Sequence, residues 1–278
     1  MSQVYEDWVG REETLTERMA ASAAAAMAAT LDLPTSPGPG EPLPPGWHWM
    51  FFNPVVRRSG LGDDGHPRRG GFLPPIDLPR RMWAGSRVRY LAAVPVDALA
   101  DRRSRITRVQ NKVGKRGPLW FVTVEHTTQV DGRVCVVEEQ DIVYRDAASA
   151  TPTLAPEVHD DKAAWSREVI ADTTQLFRYS ALTFNGHRIH YDQAYAREEE
   201  GYPDLVVHGP LTATLLQQLA VENAGGRRLA RFEFRGVNPL FAGRAFRIEG
   251  RPDAEGTAAL WARGPAGELA MSAIAVFE

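Results

Sequence analysis

Three of the seven histidines fall in one short stretch, at His187, His190 and His208. Imidazole takes or gives a proton near neutral pH, and a well-placed base accelerates a reaction by about 10²–10⁴. His190 lies in Asn185-Gly186-His187-Arg188-Ile189-His190-Tyr191-Asp192, a run crowded with polar groups and too irregular for an ordinary helix or strand. Three uses stay open for it: general base, satisfied core histidine, or metal ligand through His187-x-x-His190. No second acidic or cysteine cluster stands nearby in the sequence to complete a metal site, so no metal is expected. Asp192 caps a helix over residues 193–199, and Glu198 to Glu200 read as solvated surface.

The next element must hold this segment in place. A helix is predicted over 210–222, where Leu211, Leu215 and Leu219 run beside Leu216 and Ala220 to give a broad apolar face. Pro210 suits the first helical position, where its missing N–H costs nothing, and Gly225-Gly226 ends the helix. Gly209 is then the cap. Either its N–H, at the positive end of the helix dipole, donates to a carbonyl oxygen that becomes an oxyanion, or Gly209 only permits a tight turn into the helix.

The 278 residues, 44% hydrophobic and 24% charged, can bury a sizeable core in one large domain or two ordinary ones. A net charge of −3 gives no reason to expect nucleic acid or an anionic membrane as partner. The single cysteine, Cys135, sits among Val134, Val136 and Val137, packs in a strand and forms no intrachain disulfide. The most apolar run, residues 19–33, is too short to cross a membrane, and the acidic residues before it rule out a signal peptide. A cytoplasmic protein is expected.

Thr14-Leu15-Thr16-Glu17 has the form of a capping box, so a helix is predicted over 14–30. Residues 34–79 hold eleven of the twenty prolines, and only a short strand over 47–52 is expected there. Between 57 and 89, arginines 57, 58, 68, 69, 80, 81, 87 and 89 stand against Asp63, Asp64 and Asp77, a local balance of +5. That stretch is either a salt-bridged surface loop or a host for phosphate or carboxylate. Strands are predicted over 85–94, 103–114, 119–130 and 133–144, the last two flanking the hairpin signal Asp131-Gly132. Residues 146–161 read as a linker. The second half then repeats the plan, with strands near 229–237, 245–251, 258–263 and 269–277. Each half is a helix followed by antiparallel strands. The fold class is α+β, a pseudo-dimer in one chain: 1–147 with an excursion over 34–84, a linker over 148–161, and 162–278.

The stretch LTFNGHRIHYD…YA…VVHGPLTATLL resembles the MaoC-like hydratases and dehydratases of the hot-dog fold. In that family S-G-D-x-N-P-x-H is followed by H-G at the start of the central helix. By this resemblance His190 falls on the catalytic histidine, and Gly209 on the glycine whose N–H binds a thioester carbonyl. Residues 73–85, LPPIDLPRRMWAG, are similar to the matching region of two-hot-dog members. Those include mesaconyl-C4-CoA and itaconyl-CoA hydratases and mitochondrial-type 3-hydroxyacyl-thioester dehydratases. The resemblance implies a double hot-dog, two antiparallel sheets each wrapped around a central helix.

It also implies a hydro-lyase that adds water across the C2=C3 bond of an enoyl-CoA, or dehydrates a 3-hydroxyacyl-CoA. Coenzyme A is then part of the substrate, and no cofactor is expected. Asn185 stands where the widespread motif has aspartate, and an amide orients water without taking its proton. The expected roles are therefore both proton transfers for His190, the water for Asn185 and the enolate oxygen for Gly209. His187, Arg188, His208, Arg80, Arg81, Trp83 and Phe51 are the expected substrate contacts. The arginines would serve CoA phosphates or a C5 dicarboxylyl group, while Trp47, Trp49, Phe51 and Phe52 would wall the acyl pocket. The rivals are a hot-dog thioesterase and a non-catalytic acyl-CoA-binding subunit, and the state is a monomer of fused hot-dogs or a homodimer.

Overall fold

Asp131 and Gly132 adopt φ values of 49° and 76°, the left-handed pair of a type I′ turn, and join two long antiparallel strands. Around this hairpin the computed structural model, which describes residues 5–114, 117–146 and 161–278, builds the first of two halves. That half comprises β1 (Glu12–Arg18), α1 (Ala21–Thr30), β2 (Arg80–Tyr90), β3 (Leu99–Gly114), β4 (Gly117–Val130) and β5 (Arg133–Arg145). The second opens with β6 (Trp165–Ile170), α2 (Thr173–Leu182), α3 (Gln193–Glu198) and α4 (Gly209–Glu222). It closes with β7 (Leu229–Gly236), β8 (Ala245–Pro252), β9 (Thr257–Arg263) and β10 (Leu269–Phe277).

All strands pair antiparallel in the order β1-β3-β4-β5-β2-β7-β10-β9-β8-β6. Counted within its own half, each half runs first, third, fourth, fifth, second from its outer edge. The halves therefore repeat about a pseudo-twofold at the β2–β7 seam, as the α+β pseudo-dimer requires. At that seam a Cβ on Gly85 would lie 2.2 Å from the Phe234 carbonyl oxygen, so glycine is what lets the two strands approach.

Burial follows the pattern of the second half. α4 is buried on nearly every side, from Leu211 and Leu216 to Thr214 and Gln217, and packs on β7 to β10. One apolar cluster crosses the seam, holding Val88 and Val136 of the first half with Leu216 and Phe232 of the second. A smaller one, with Ile76, Ile106 and Val122, lies under the excursion.

Two N-terminal expectations give way. Residues 14–17 belong to β1 rather than to a helix: Leu15 and Glu17 turn inward, Thr14 and Thr16 outward, and the strand pairs with β3. The helix starts only at Ala21, where Asp97 Oδ1 accepts its N–H at 2.9 Å. Threonine is a poor helix former, and an open β3 edge supplies hydrogen bonds that override the local capping pattern. Residues 47–52 form no strand either. Trp47–Met50 is a 3₁₀ turn, and Trp47, Met50, Phe51 and Phe52 are buried in the main core. In chain order the excursion takes the place that α4 holds in the second half, so among the described residues only the second half has a long central helix. Of the expected linker 148–161, all but Asp161 lies outside the described residues. No helix among the described residues is long and apolar enough to cross a membrane.

Candidate active site

Between the ends of β2 and α4 lies a cavity of about 1010 Å³, lined by both halves. The chain reaches it by a sharp turn after α2, with Phe184 at a φ of 47°. Asn185, His187 and His190 then line the wall, and Arg188–His190 forms a 3₁₀ turn. Asp192 caps α3 by accepting from the Tyr195 N–H at 3.1 Å, as its position predicts.

His190 Nδ1 lies 2.7 Å from the Val206 carbonyl oxygen. A carbonyl only accepts, so Nδ1 carries the hydrogen and Nε2 keeps a lone pair. Burial pushes the His190 pKa down to about 4, against the opposing pull of the Val206 hydrogen bond. The ring is therefore neutral at pH 7 and able to act as a base.

α4 begins one residue earlier than predicted. His208 is the N-cap, Gly209 the first helical residue and Pro210 the second, because residue 209 already has helical geometry. Gly209 N–H belongs to the unpaired first turn, has no acceptor among the described residues, and shares the cavity wall with His190. Asn185 Oδ1 accepts from the His187 N–H at 3.0 Å, which leaves the amide NH₂ for a ligand. Arg81, Trp83 and His187 also line the cavity.

Four expected contacts lie elsewhere. Arg80 is buried with Nε 3.1 Å from Glu200 Oε2 and donates Nη2 to the Glu200 carbonyl oxygen at 2.8 Å, because a buried guanidinium requires a partner. Glu200 is accordingly buried and not solvated surface. Arg188 turns outward, paired with Asp192 Oδ2 at 2.7 Å and stacked 4.2 Å from the Tyr195 ring. Phe51 packs in the core, and the aromatic wall is made by Trp49 and Trp83, with ring centroids 5.2 Å apart. His208 is fully buried behind the site, stacked 3.7 Å from the His190 ring and hydrogen-bonded to Ser180 Oγ at 2.8 Å.

The cavity also contains residues that do not figure in the sequence reading. His66 lines it with its ring 4.1 Å from that of His187, and His66 Nδ1 donates to Asp64 Oδ2 at 3.0 Å. This short segment is clipped to the loop that carries Asn185, His187 and His190. Asp64 O accepts from Arg188 N at 3.0 Å, and a Cβ on Gly65, at a φ of +84°, would lie 1.9 Å from the Gly186 carbonyl oxygen. Locally, Asp63-Asp64-Gly65 signals only a turn; nothing in it specifies a partner over one hundred residues away. Tyr179 and Ser180 line the cavity from α2, whose start was legible in Asp172-x-x-Gln175, where Asp172 accepts from Gln175 N at 2.7 Å.

Asp64, His66 and His187 place ligand atoms within 4.8 Å of one another, close enough to suggest a metal centre. The surroundings oppose a cation. Asp64 is already engaged by His66, and the Arg81 guanidinium on the same cavity wall sets a positive charge against both imidazoles. The cavity as a whole is cationic: Arg58, Arg81 and Arg145 line it, with no Asp or Glu among its described lining residues.

Residues 46–242 match the family model described as hydroxyacyl-thioester dehydratase type 2. The chain is 46% identical over 271 residues to mesaconyl-C(4)-CoA hydratase of Chloroflexus aurantiacus, spanning 96% of this chain and 95% of that protein. A MaoC-like dehydratase from Phytophthora capsici superposes with a TM-score of 0.67 at 12% identity, over 97% of this chain and 96% of that one. A Mycobacterium tuberculosis protein described as a double hot-dog does so with a TM-score of 0.57 at 13% identity, over 97% and 96% of the two chains. These likenesses identify the present architecture as a double hot-dog.

Proposed function

Because the chain belongs to the hydroxyacyl-thioester dehydratase type 2 family, we propose that it reversibly adds water across the C2=C3 bond of an enoyl-CoA thioester. The observation that carries this reading is one cavity shared by a neutral imidazole, His190, and an unpaired helix-start amide, Gly209. The Asn185 NH₂ donates to the water oxygen. His190 Nε2 takes a proton from that water as its oxygen bonds C3, and the C2=C3 electrons move onto the thioester oxygen. Gly209 N–H donates to the resulting enolate oxygen, and His190 returns the proton to C2 on the same face. His187 flanks the reacting centre, and Trp83 with Trp49 walls the acyl group. The exposed rings of Phe177 and Phe184, at the rim, suit the pantetheine arm.

The curated relative acts on mesaconyl-C4-CoA, and the cationic lining favours a C5 dicarboxylyl thioester as substrate here too. Both halves of one chain complete the site, so a monomer is competent, and the cytoplasm is the compartment we assign. The chemistry needs no redox group or metal, and activity should survive dialysis against a chelator.

Short enoyl- and 3-hydroxyacyl-CoAs, including mesaconyl- and itaconyl-CoA, followed by mass spectrometry, test the reading. Gain or loss of one water with the thioester intact is expected. Release of free CoA would make the protein a thioesterase, and binding without turnover would make it a non-catalytic subunit.

A further inference from the structure

The cavity's three arginines do not stand in equivalent places. Arg58 lies on an exposed turn of the excursion, and Arg145 hydrogen-bonds the Tyr202 hydroxyl at 3.4 Å. Arg81 is half-buried on β2, and its charge reaches the imidazoles of both His66 and His187. It makes no ion pair among the described residues, whereas Arg80, the preceding residue, is paired with Glu200 through Nε and Nη2. Directly across the β2–β5 pair from Arg81 stands Tyr144, fully buried in the core behind it. A guanidinium on the cavity wall with no carboxylate paired to it is complementary to an anion. The absence of any carboxylate among the described lining residues leaves that anion to the ligand.

We infer that Arg81 is the specificity-determining residue that takes the second carboxylate of a dicarboxylyl thioester. The inference rests on the hydratase reading and sharpens it to one class of acyl group. In such a thioester, a carboxylate on C3 is one bond from the carbon that receives the hydroxyl. It must therefore lie beside the imidazole cluster, where Arg81 is, and not at the exposed turn that carries Arg58. Arg58 is left for the phosphates of coenzyme A.

Mesaconyl-C4-CoA and 3-methylcrotonyl-CoA differ at C3 only by a carboxylate in place of a methyl group, so their kcat/KM ratio isolates the contact. Wild-type protein should favour the dicarboxylyl thioester, and Arg81→Gln should reduce the ratio by about 100-fold, as expected for loss of a charge-assisted hydrogen-bond pair. Arg81→Lys, which keeps the charge without the fork, should give an intermediate ratio. Arg58→Gln should slow both thioesters alike and leave the ratio in place. An unchanged ratio in both Arg81 variants would overturn the inference, as would a wild-type ratio near one. Wild-type protein that hydrates crotonyl-CoA but neither of these thioesters would also overturn the inference, whereas protein that hydrates no enoyl-CoA would overturn the hydratase reading itself.

Discussion

Each half of the molecule buries a group of imidazoles, and the two groups are completed differently. In the first half, Glu138 accepts from His48 Nε2 at 3.2 Å, Trp49 Nε1 at 3.0 Å and Ser86 Oγ at 2.6 Å. His126 is bonded on both sides, to Ser104 Oγ at 2.9 Å and Gln140 Oε1 at 3.2 Å. The His48 hydrogen bond and charge hold the Glu138 pKa at about 2, against the burial that would raise it. In the second half His190 is held at Nδ1 alone, and Asn185 at Oδ1 alone. The free end of each is what the cavity receives. A polar group whose bonds are filled from within holds structure, and one left half-filled at a cavity is open to a ligand.

That contrast can be broken most sharply at His190. His190→Ala should lower kcat by about 10²–10⁴ with the fold retained, as read by steady-state rates beside thermal unfolding. Unchanged turnover would remove the base from the scheme. Gly65→Ala comes next, since it forces the clip between the halves apart at the Gly186 carbonyl. A displacement of the catalytic loop by about 1 Å should cost about 100-fold in kcat/KM, and full activity would show that the excursion does not set the loop. Asn185→Ala should lower kcat by about tenfold with little change in KM, because water is held and no proton is transferred there.

The smallest effect compares the halves directly. Unfolded histidines take up protons below about pH 6.5, whereas burial holds His126 and His190 near a pKa of about 4 in the folded protein. The unfolded state then binds more protons across that window, so stability falls as the pH drops from 6.5 towards 4. Each of the two residues costs about 1 kcal/mol by pH 6. His126→Gln and His190→Gln should flatten the denaturation-versus-pH curve alike, and only the second should abolish turnover. Equal losses of turnover would erase the distinction between the halves.

Much of the scaffold is local and therefore legible. The Asp131-Gly132 turn, the alternation of Arg231-Phe232-Glu233-Phe234-Arg235 in β7 and the leucines of α4 each state their structure within a few residues. Thr14 to Glu17 misleads because its capping pattern is equally a strand's alternation, and the choice belongs to the β3 edge. Arg80 and Arg81 are adjacent and identical in type, and only their surroundings separate a buried ion pair from a cation open to the cavity.

By itself, then, the sequence determined the strand-rich repeat and the buried helix, and its resemblance to the MaoC-like hydratases singled out His190, Asn185 and Gly209. The tertiary structure alone decided that Asp64 and His66 meet His187, that His208 stands behind His190 instead of before a ligand, and that the long excursion replaces a helix. The division has one cause. Turn types and periodicities arise between neighbours along the chain, whereas hydrogen-bond completion and burial depend on whatever distant segment arrives to provide them.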